Sequence, residues 1–148
     1  MSPTAAAKLD ELIDELENQM SLVFSHARTV WKDAAAAVHP ELPSGAYKLL
    51  VFVAHAPRSN AHQLAQVFEI DKSAVSRQVR LLEELGLVES QPDPHDARFR
   101  ALTATPAALT QLRAVRLRHE ARLRRALGHL DESQLAACVN VFKQLAKV

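Results

Sequence analysis

The chain has 148 residues, 48% of them hydrophobic and 24% charged, with a formal net charge of +1. That suits one compact domain or one subunit of an oligomer, and any nucleic-acid contact must come from a local patch rather than a global field. Glycine occurs only three times while Ala, Leu, Glu, Arg and Gln dominate, which favours helix and excludes a turn-rich β-sandwich.

Residues 4–38 place Leu9, Leu12, Ile13, Leu16, Met20, Val23, Ala27, Val30, Trp31 and Ala34 at three- and four-residue steps. This spacing predicts one long amphipathic helix, with Thr4 placed to cap its start. Pro40 and Pro43 in HPELPSG stop it, because proline lacks the helix donor and clashes with the preceding turn. A second helix follows over residues 44–55, with Leu49, Leu50, Phe52 and Val53 apolar. The turn APRSN ends it, and Ser59 or Asn60 caps a short third helix through Leu64, Ala65, Val67 and Phe68. Asp71 is a good cap for a fourth helix, KSAVSRQVRLLEEL, which Gly86 ends. Two extended runs, LVESQ and FRALTAT, flank a proline-rich loop and predict a β-hairpin with a long tip. Thr105 caps and Pro106 opens a fifth helix with Leu109, Leu112, Val115, Leu123, Ala126 and Leu127. LGHLDES interrupts, and Asp131 or Ser133 starts a sixth helix with Leu135, Val139, Phe142 and Leu145.

The fold class is therefore mainly α with a small β-hairpin. Residues 44–105 read as helix–helix–helix–hairpin, flanked by the outer helices of residues 1–43 and 106–148. Each outer helix carries an apolar stripe that the small middle segment cannot cover alone. These helices either cover each other or pair with the same helices of a second chain, which is commoner for a helix this long beside a small domain. Charge is segregated: Asp10, Glu11, Asp14, Glu15 and Glu17 lie on the first helix, and Arg113, Arg116, Arg118, Arg122, Arg124 and Arg125 on the fifth. No stretch is long and apolar enough to span a bilayer, and the N-terminus lacks the basic-then-apolar pattern of a signal peptide. The expected compartment is the cytoplasm.

The fourth helix points to a chemistry. With Val75 at the centre of its buried face, Val79 and Leu82 fall beside it, while Ser73, Arg77 and Arg80 fall opposite and Ser76 on a flank. Small hydroxyls at the start let a helix approach a DNA major groove closely, and arginines further along can fork onto guanine. The short third helix and the turn before it complete a helix-turn-helix.

The run DKSAVSRQVRLLEELGLVES, followed by PDPHDARFRALTATPAAL, resembles the MarR family of winged helix-turn-helix transcription regulators. Ser73, Ser76, Arg77, Val79, Leu82, Glu83, Gly86, Leu87 and Val88 match the family's helix pattern, and Asp96 and Arg98 match the D-x-R of its wing. Thr105 and Pro106 match the entry to the next helix, whereas Ala104 and Ala108 depart from the Leu and Gly usual there. The resemblance implies a winged helix-turn-helix over residues 44–105, flanked by N- and C-terminal helices that interlock two chains as a homodimer. Its partner would be a double-stranded, pseudo-palindromic operator with half-sites roughly 10 bp apart. It implies base reading by Ser73, Ser76 and Arg77, with Gln78 and Arg80 as further candidates. Asn60, His62 and Gln63 would touch phosphate, Arg98 would enter a minor groove, Asp96 would orient it, and Arg100 would touch the backbone. Members usually repress and are commonly released by a small aromatic acid or phenol. The pocket implied here is lined by His26, Trp31, Tyr47 and Phe52. Rival readings are a winged-helix regulator without an effector, whose pocket its own side chains fill, and a winged-helix protein-interaction module.

No catalytic or cofactor site is expected. His95 and Asp96 are adjacent on an extended segment and point to opposite faces, and no nucleophile motif or phosphate loop accompanies them. The seven histidines show no metal-ligand spacing. Cys138, the only cysteine, excludes an intramolecular disulfide and reads as a packed or interfacial thiol.

Overall fold

The computed structural model describes residues 3–147. Helix α1 runs Pro3–Val38, α2 Ser44–His55, α3 Ala61–Phe68 and α4 Lys72–Glu84. Strands β1 (Val88–Pro92) and β2 (Arg100–Ala104) follow, then α5 (Pro106–Leu127) and α6 (Glu132–Leu145). The expected element order is the observed one. One detail differs: Thr4 lies inside α1 rather than capping it, because Pro3, whose fixed φ suits a first helical turn, already belongs to the helix.

The chain divides into two compact units, Met1–Leu109 and Thr110–Val148. In the first, the largest fully buried side chains are Leu49, Leu50 and Val53 of α2, Leu64 of α3, and Val75 and Leu82 of α4. In α2 and α4 these positions recur at helical spacing and α3 adds Leu64, so the three helices close on one apolar centre. Leu87, Val88, Ala101, Leu102 and Ala104 extend this core under the hairpin. In the second unit α6 has no buried residue, and Leu117, Leu123, Leu127, Leu135, Val139, Val141, Phe142 and Leu145 are exposed. Leu9, Leu12, Ile13, Leu16, Leu22, Val23 and Phe24 of α1 are exposed as well. The cap of α6 is Asp131, not Ser133: the Asp131 side chain accepts from the Gln134 N–H, and the Gln134 side chain accepts from the Asp131 N–H.

The hairpin is antiparallel, in the register Val88↔Ala104, Ser90↔Leu102 and Pro92↔Arg100. Its inner edge is covered at one point, where Ser59 bridges Leu102: Leu102 N–H donates to Ser59 O at 2.7 Å and Arg58 N–H to Leu102 O at 2.9 Å. Ser59 is thus a strand partner, and Asn60 is the cap of α3. β2 lies between β1 and this bridge, so Pro92 sits on the outer strand, where its missing donor is tolerated. Gly86 adopts φ +70°, the left-handed turn that lets the chain leave α4 for β1. Thr105 fastens the far end: its hydroxyl donates to Gly86 O at 2.8 Å and accepts from the Ala108 N–H at 3.2 Å. Ala104 and Ala108, the two departures from the family pattern, are both buried, and the wing stands complete around them.

Candidate nucleic-acid interface

The interface is built first at the start of α3. Asn60 and Gln63 form a capping box: Asn60 Oδ1 accepts from the Gln63 N–H at 2.9 Å, and Gln63 Oε1 accepts from the Asn60 N–H at 3.0 Å. Each amide oxygen thus takes a bond inside the chain, and both NH2 groups remain as donors for an outside partner. Phosphate oxygens only accept, so this pair suits a DNA backbone. His62, between them, is exposed, and its ring centroid lies 6.2 Å from that of Phe99 in the wing. Arg58, two residues before the cap, is an exposed cation in the left-handed region at φ 68°. With Phe52, Ser59, Gln63, Gln66 and Val67 it lines a cavity of about 280 Å³. Arg58 is not among the residues expected from sequence; its signal there is a lone cation in the turn directly before a capped helix.

Helix α4 begins at Asp71, whose carboxylate accepts from the Ala74 N–H at 2.9 Å and from the Ser73 hydroxyl. The Ser73 hydrogen bond, the Ala74 amide and the nearby Arg77 charge hold the Asp71 carboxyl below its usual range. Ser73, Ser76, Arg77 and Arg80 are all exposed, as the helical wheel places them. Among the described residues, the side chains of Ser76, Arg77 and Arg80 have no hydrogen bond or ion pair within the chain. Gln78 departs from its expected place. It is half-buried, its Oε1 is buried without a hydrogen-bond partner, and its Nε2 lies 3.2 Å from where a Cβ on Gly45 of α2 would stand. Gln78 is turned inward, into space that the absence of a side chain at Gly45 leaves open.

The wing tip is organised by two carboxylates. Asp93 Oδ1 accepts from the backbone N–H groups of His95 at 2.7 Å and Asp96 at 3.2 Å, which folds the loop after Pro92. Asp96 accepts from the Arg98 N–H at 3.1 Å and grips its guanidinium, Nε at 3.0 Å and Nη2 at 2.7 Å. The guanidinium and the Arg98 amide lower the Asp96 pKa, and the carboxylate in turn raises that of Arg98. The Arg98 side chain is still 84% exposed, so Asp96 aims the cation without covering it. Its guanidinium carbon lies 5.9 Å from the centroid of the Phe99 ring. Arg100 behaves differently: Nε donates to Ser90 Oγ at 3.0 Å and Nη2 to Ser90 O at 2.8 Å, so it lies along β1. His95 is exposed beside these groups.

The four effector-pocket candidates do not come together. Trp31 and Tyr47 meet edge to face, with centroids 5.8 Å apart, and Lys48 Nζ stands 5.2 Å from the Trp31 ring. Tyr47 is buried, which raises its pKa. Phe52 meets Phe68 instead, at 5.8 Å, and lines the cavity beside Arg58. His26 is exposed on α1. Cys138 is exposed on α6. Among the described residues no cluster of three or more His, Cys, Asp or Glu side chains could hold a metal ion, and no helix is long and apolar enough to cross a membrane.

A short helix capped by an amide box, a second helix with free arginines, and a hairpin carrying an aimed arginine define a winged helix-turn-helix protein. Comparison with known proteins agrees. A sequence profile of the MarR family matches residues 42–98, from the start of the helix-turn-helix segment to the wing tip. No curated protein matches the chain by sequence. The fold is similar to that of Streptococcus pneumoniae FabT in complex with DNA, with a TM-score of 0.80 and 14% identity over 91% of this chain and 95% of that chain. It is similar to that of the MarR family transcription regulator SP03579, at TM-score 0.82 and 19% identity over 97% of this chain and 93% of that one. A mutant MarR from E. coli complexed with operator DNA matches at TM-score 0.65 and 18% identity, over 90% and 94% of the two chains. The chain is thus similar to the MarR family over residues 42–98 and has the winged helix-turn-helix fold of the solved MarR structures.

Proposed function

We propose that the chain is a homodimeric, cytoplasmic repressor that binds a pseudo-palindromic DNA operator and leaves it when a small aromatic acid or phenol binds. The observation that carries the DNA reading is the set of groups with unused capacity: the NH2 donors of Asn60 and Gln63, the guanidinia of Arg77 and Arg80, and the exposed Arg98. Arg77 and Arg80 can fork onto guanine in the major groove, and Ser76 can reach a phosphate or a base edge. Ser73 donates to Asp71, which leaves its lone pairs for a base amino group. Arg98 suits a narrow minor groove, whose negative potential attracts arginine. Proteins of similar fold have been solved on DNA.

The dimer rests on the exposed leucines, valines and phenylalanines of α1, α5 and α6, too many apolar faces for a chain working alone. The effector reading rests on Trp31 with Lys48 above it, an aromatic and an ammonium that fit an aromatic carboxylate. One observation favours an effector-free regulator: Tyr47 is buried against Trp31, and Phe52 lies apart from both.

Footprinting on the DNA flanking the chain's own coding region, with and without a panel of aromatic acids, tests the proposal. Two protected half-sites about one helical turn apart, lost on adding one acid, are expected. A footprint indifferent to every acid supports the effector-free reading, and no footprint overturns the repressor reading.

A further inference from the structure

Three polar residues outside the expected base readers are joined in a line across α4 and the wing. Ser90, in the middle of β1, donates its hydroxyl to Glu83 Oε1 in the last turn of α4. Ser90 Oγ also accepts from Arg100 Nε at 3.0 Å, and Ser90 O accepts from Arg100 Nη2 at 2.8 Å. A hydroxyl can donate once and accept twice, so Ser90 links the carboxylate of one element to the guanidinium of another. Hydrogen bonds to charged partners are stronger than neutral ones, and here the two ends carry opposite charge.

The position of this line gives it a mechanical meaning. β1 and β2 are five residues each, and a two-stranded ribbon this short bends and twists easily unless it is held. Beyond Ser90 the ladder ends at Pro92, which has no amide to donate. The tip past that point carries Arg98, two residues before Arg100 on the same arm. The angle between hairpin and α4 therefore sets the span from the helix that enters one groove to the arginine that enters the next.

We propose that Glu83, Ser90 and Arg100 form a bridge that fixes the wing's angle to α4, which makes Arg100 a positioning residue and not a DNA contact. This rests on the DNA-binding reading for its consequence, though not for the bridge itself. Two arms of one experiment keep those separable. In the free protein, Ser90→Ala speeds amide hydrogen exchange at Ala101 and Leu102 in the wing and leaves that at Leu50 and Leu64 in the core unchanged. Ser90→Thr, which keeps the hydroxyl, restores wild-type exchange. Unchanged wing exchange in Ser90→Ala overturns the bridge whether or not the protein binds DNA.

The second arm uses a duplex enriched from a random-sequence library on the wild-type protein. Ser90→Ala weakens binding about two- to fivefold, the effect of one exposed charge-assisted hydrogen bond. It also removes hydroxyl-radical protection in the flanking minor grooves and keeps it at the major-groove core, and Ser90→Thr recovers both. Arg100→Gln leaves the salt dependence of binding unchanged, whereas Arg98→Ala lowers the log–log slope by about 0.9 per protomer. A slope lowered equally by Arg100→Gln makes Arg100 a phosphate contact and overturns its positioning role. Failure of the wild-type protein to enrich any duplex counts against the DNA-binding reading, while the exchange arm still decides the bridge.

Discussion

Asn60 caps α3 and is also proposed to meet a phosphate, and two substitutions separate those roles. Asn60→Ala removes the acceptor of the 2.9 Å bond from the Gln63 N–H, while the reciprocal 3.0 Å bond survives because its donor is backbone. α3 has only 8 residues, so it gains little from its own helical cooperativity. Loss of an N-cap costs about 1 kcal/mol, within a range of about 0.5–2. Asn60→Asp keeps an acceptor at the same place and adds a negative charge at a helix N-terminus, which contributes about 0.3–1 kcal/mol. Stability should therefore rank the aspartate variant level with or above wild type, and the alanine variant below both.

Affinity for DNA should rank differently. Alanine loses one NH2 donor, worth about 0.5–1.5 kcal/mol per protomer. Aspartate loses the same donor and sets a charge against phosphate, adding about 1 kcal/mol of repulsion at 4 Å in water. In a dimer the charge alone gives about 2 kcal/mol, roughly a 30-fold weaker complex. The assay pairs urea unfolding with fluorescence anisotropy on a labelled operator at about 0.1 M salt, where the screening length is about 10 Å. The two orders should cross, the aspartate variant being the more stable and the weaker binder. An aspartate variant that binds like wild type would refute the phosphate contact, and an alanine variant that unfolds like wild type would refute the cap.

Other substitutions address the remaining groups. Arg77→Ala should cost about 1–3 kcal/mol on the operator and much less on random DNA; equal losses on both would mean that Arg77 touches phosphate alone. Gln78→Leu should raise stability by up to about 1 kcal/mol, since it removes a buried acceptor without a partner, and should leave operator affinity unchanged; a tenfold loss of affinity would restore Gln78 as a DNA contact. The Asp96 carboxyl should titrate below the ordinary aspartate range by NMR and rise toward it in Arg98→Ala, which removes the guanidinium and keeps the backbone N–H. Because its folded pKa is depressed, its contribution to stability is present above the unfolded value and fades as pH falls through the folded one, so the wing brace should loosen only in acid. Phe142→Glu places a charge on the exposed apolar face of α6 and should shift sedimentation toward monomer; an unchanged dimer would remove α6 from the interface.

What the sequence makes legible here is what period and punctuation control. Proline stops α1, Asp71 and Asn60 cap their helices, and the apolar steps of α2, α3 and α4 converge on one core, because each of these is decided within a few residues of chain. The roles of Ser90 and Asp93 were not legible, because their partners lie across a strand or in a folded loop whose path no local pattern dictates. Two misplacements sit between these cases. Tyr47 and Phe52 are five residues apart on α2, about 140° around the helix, so they face different neighbours, Trp31 and Phe68. Gln78 is three residues from Val75, about 60° around α4, which puts it nearer the buried centre than the outer face. Its polar head drew it into the recognition set, but on a helix direction precedes chemistry, and the gap beside Gly45 gave that direction somewhere to go. Of the residues that stand opposite Val75, Arg77 and Arg80 keep their guanidinium groups free of partners among the described residues, and Ser73 donates to Asp71. The helix angle alone puts Ser73, Arg77 and Arg80 on the face proposed for DNA and Gln78 under it.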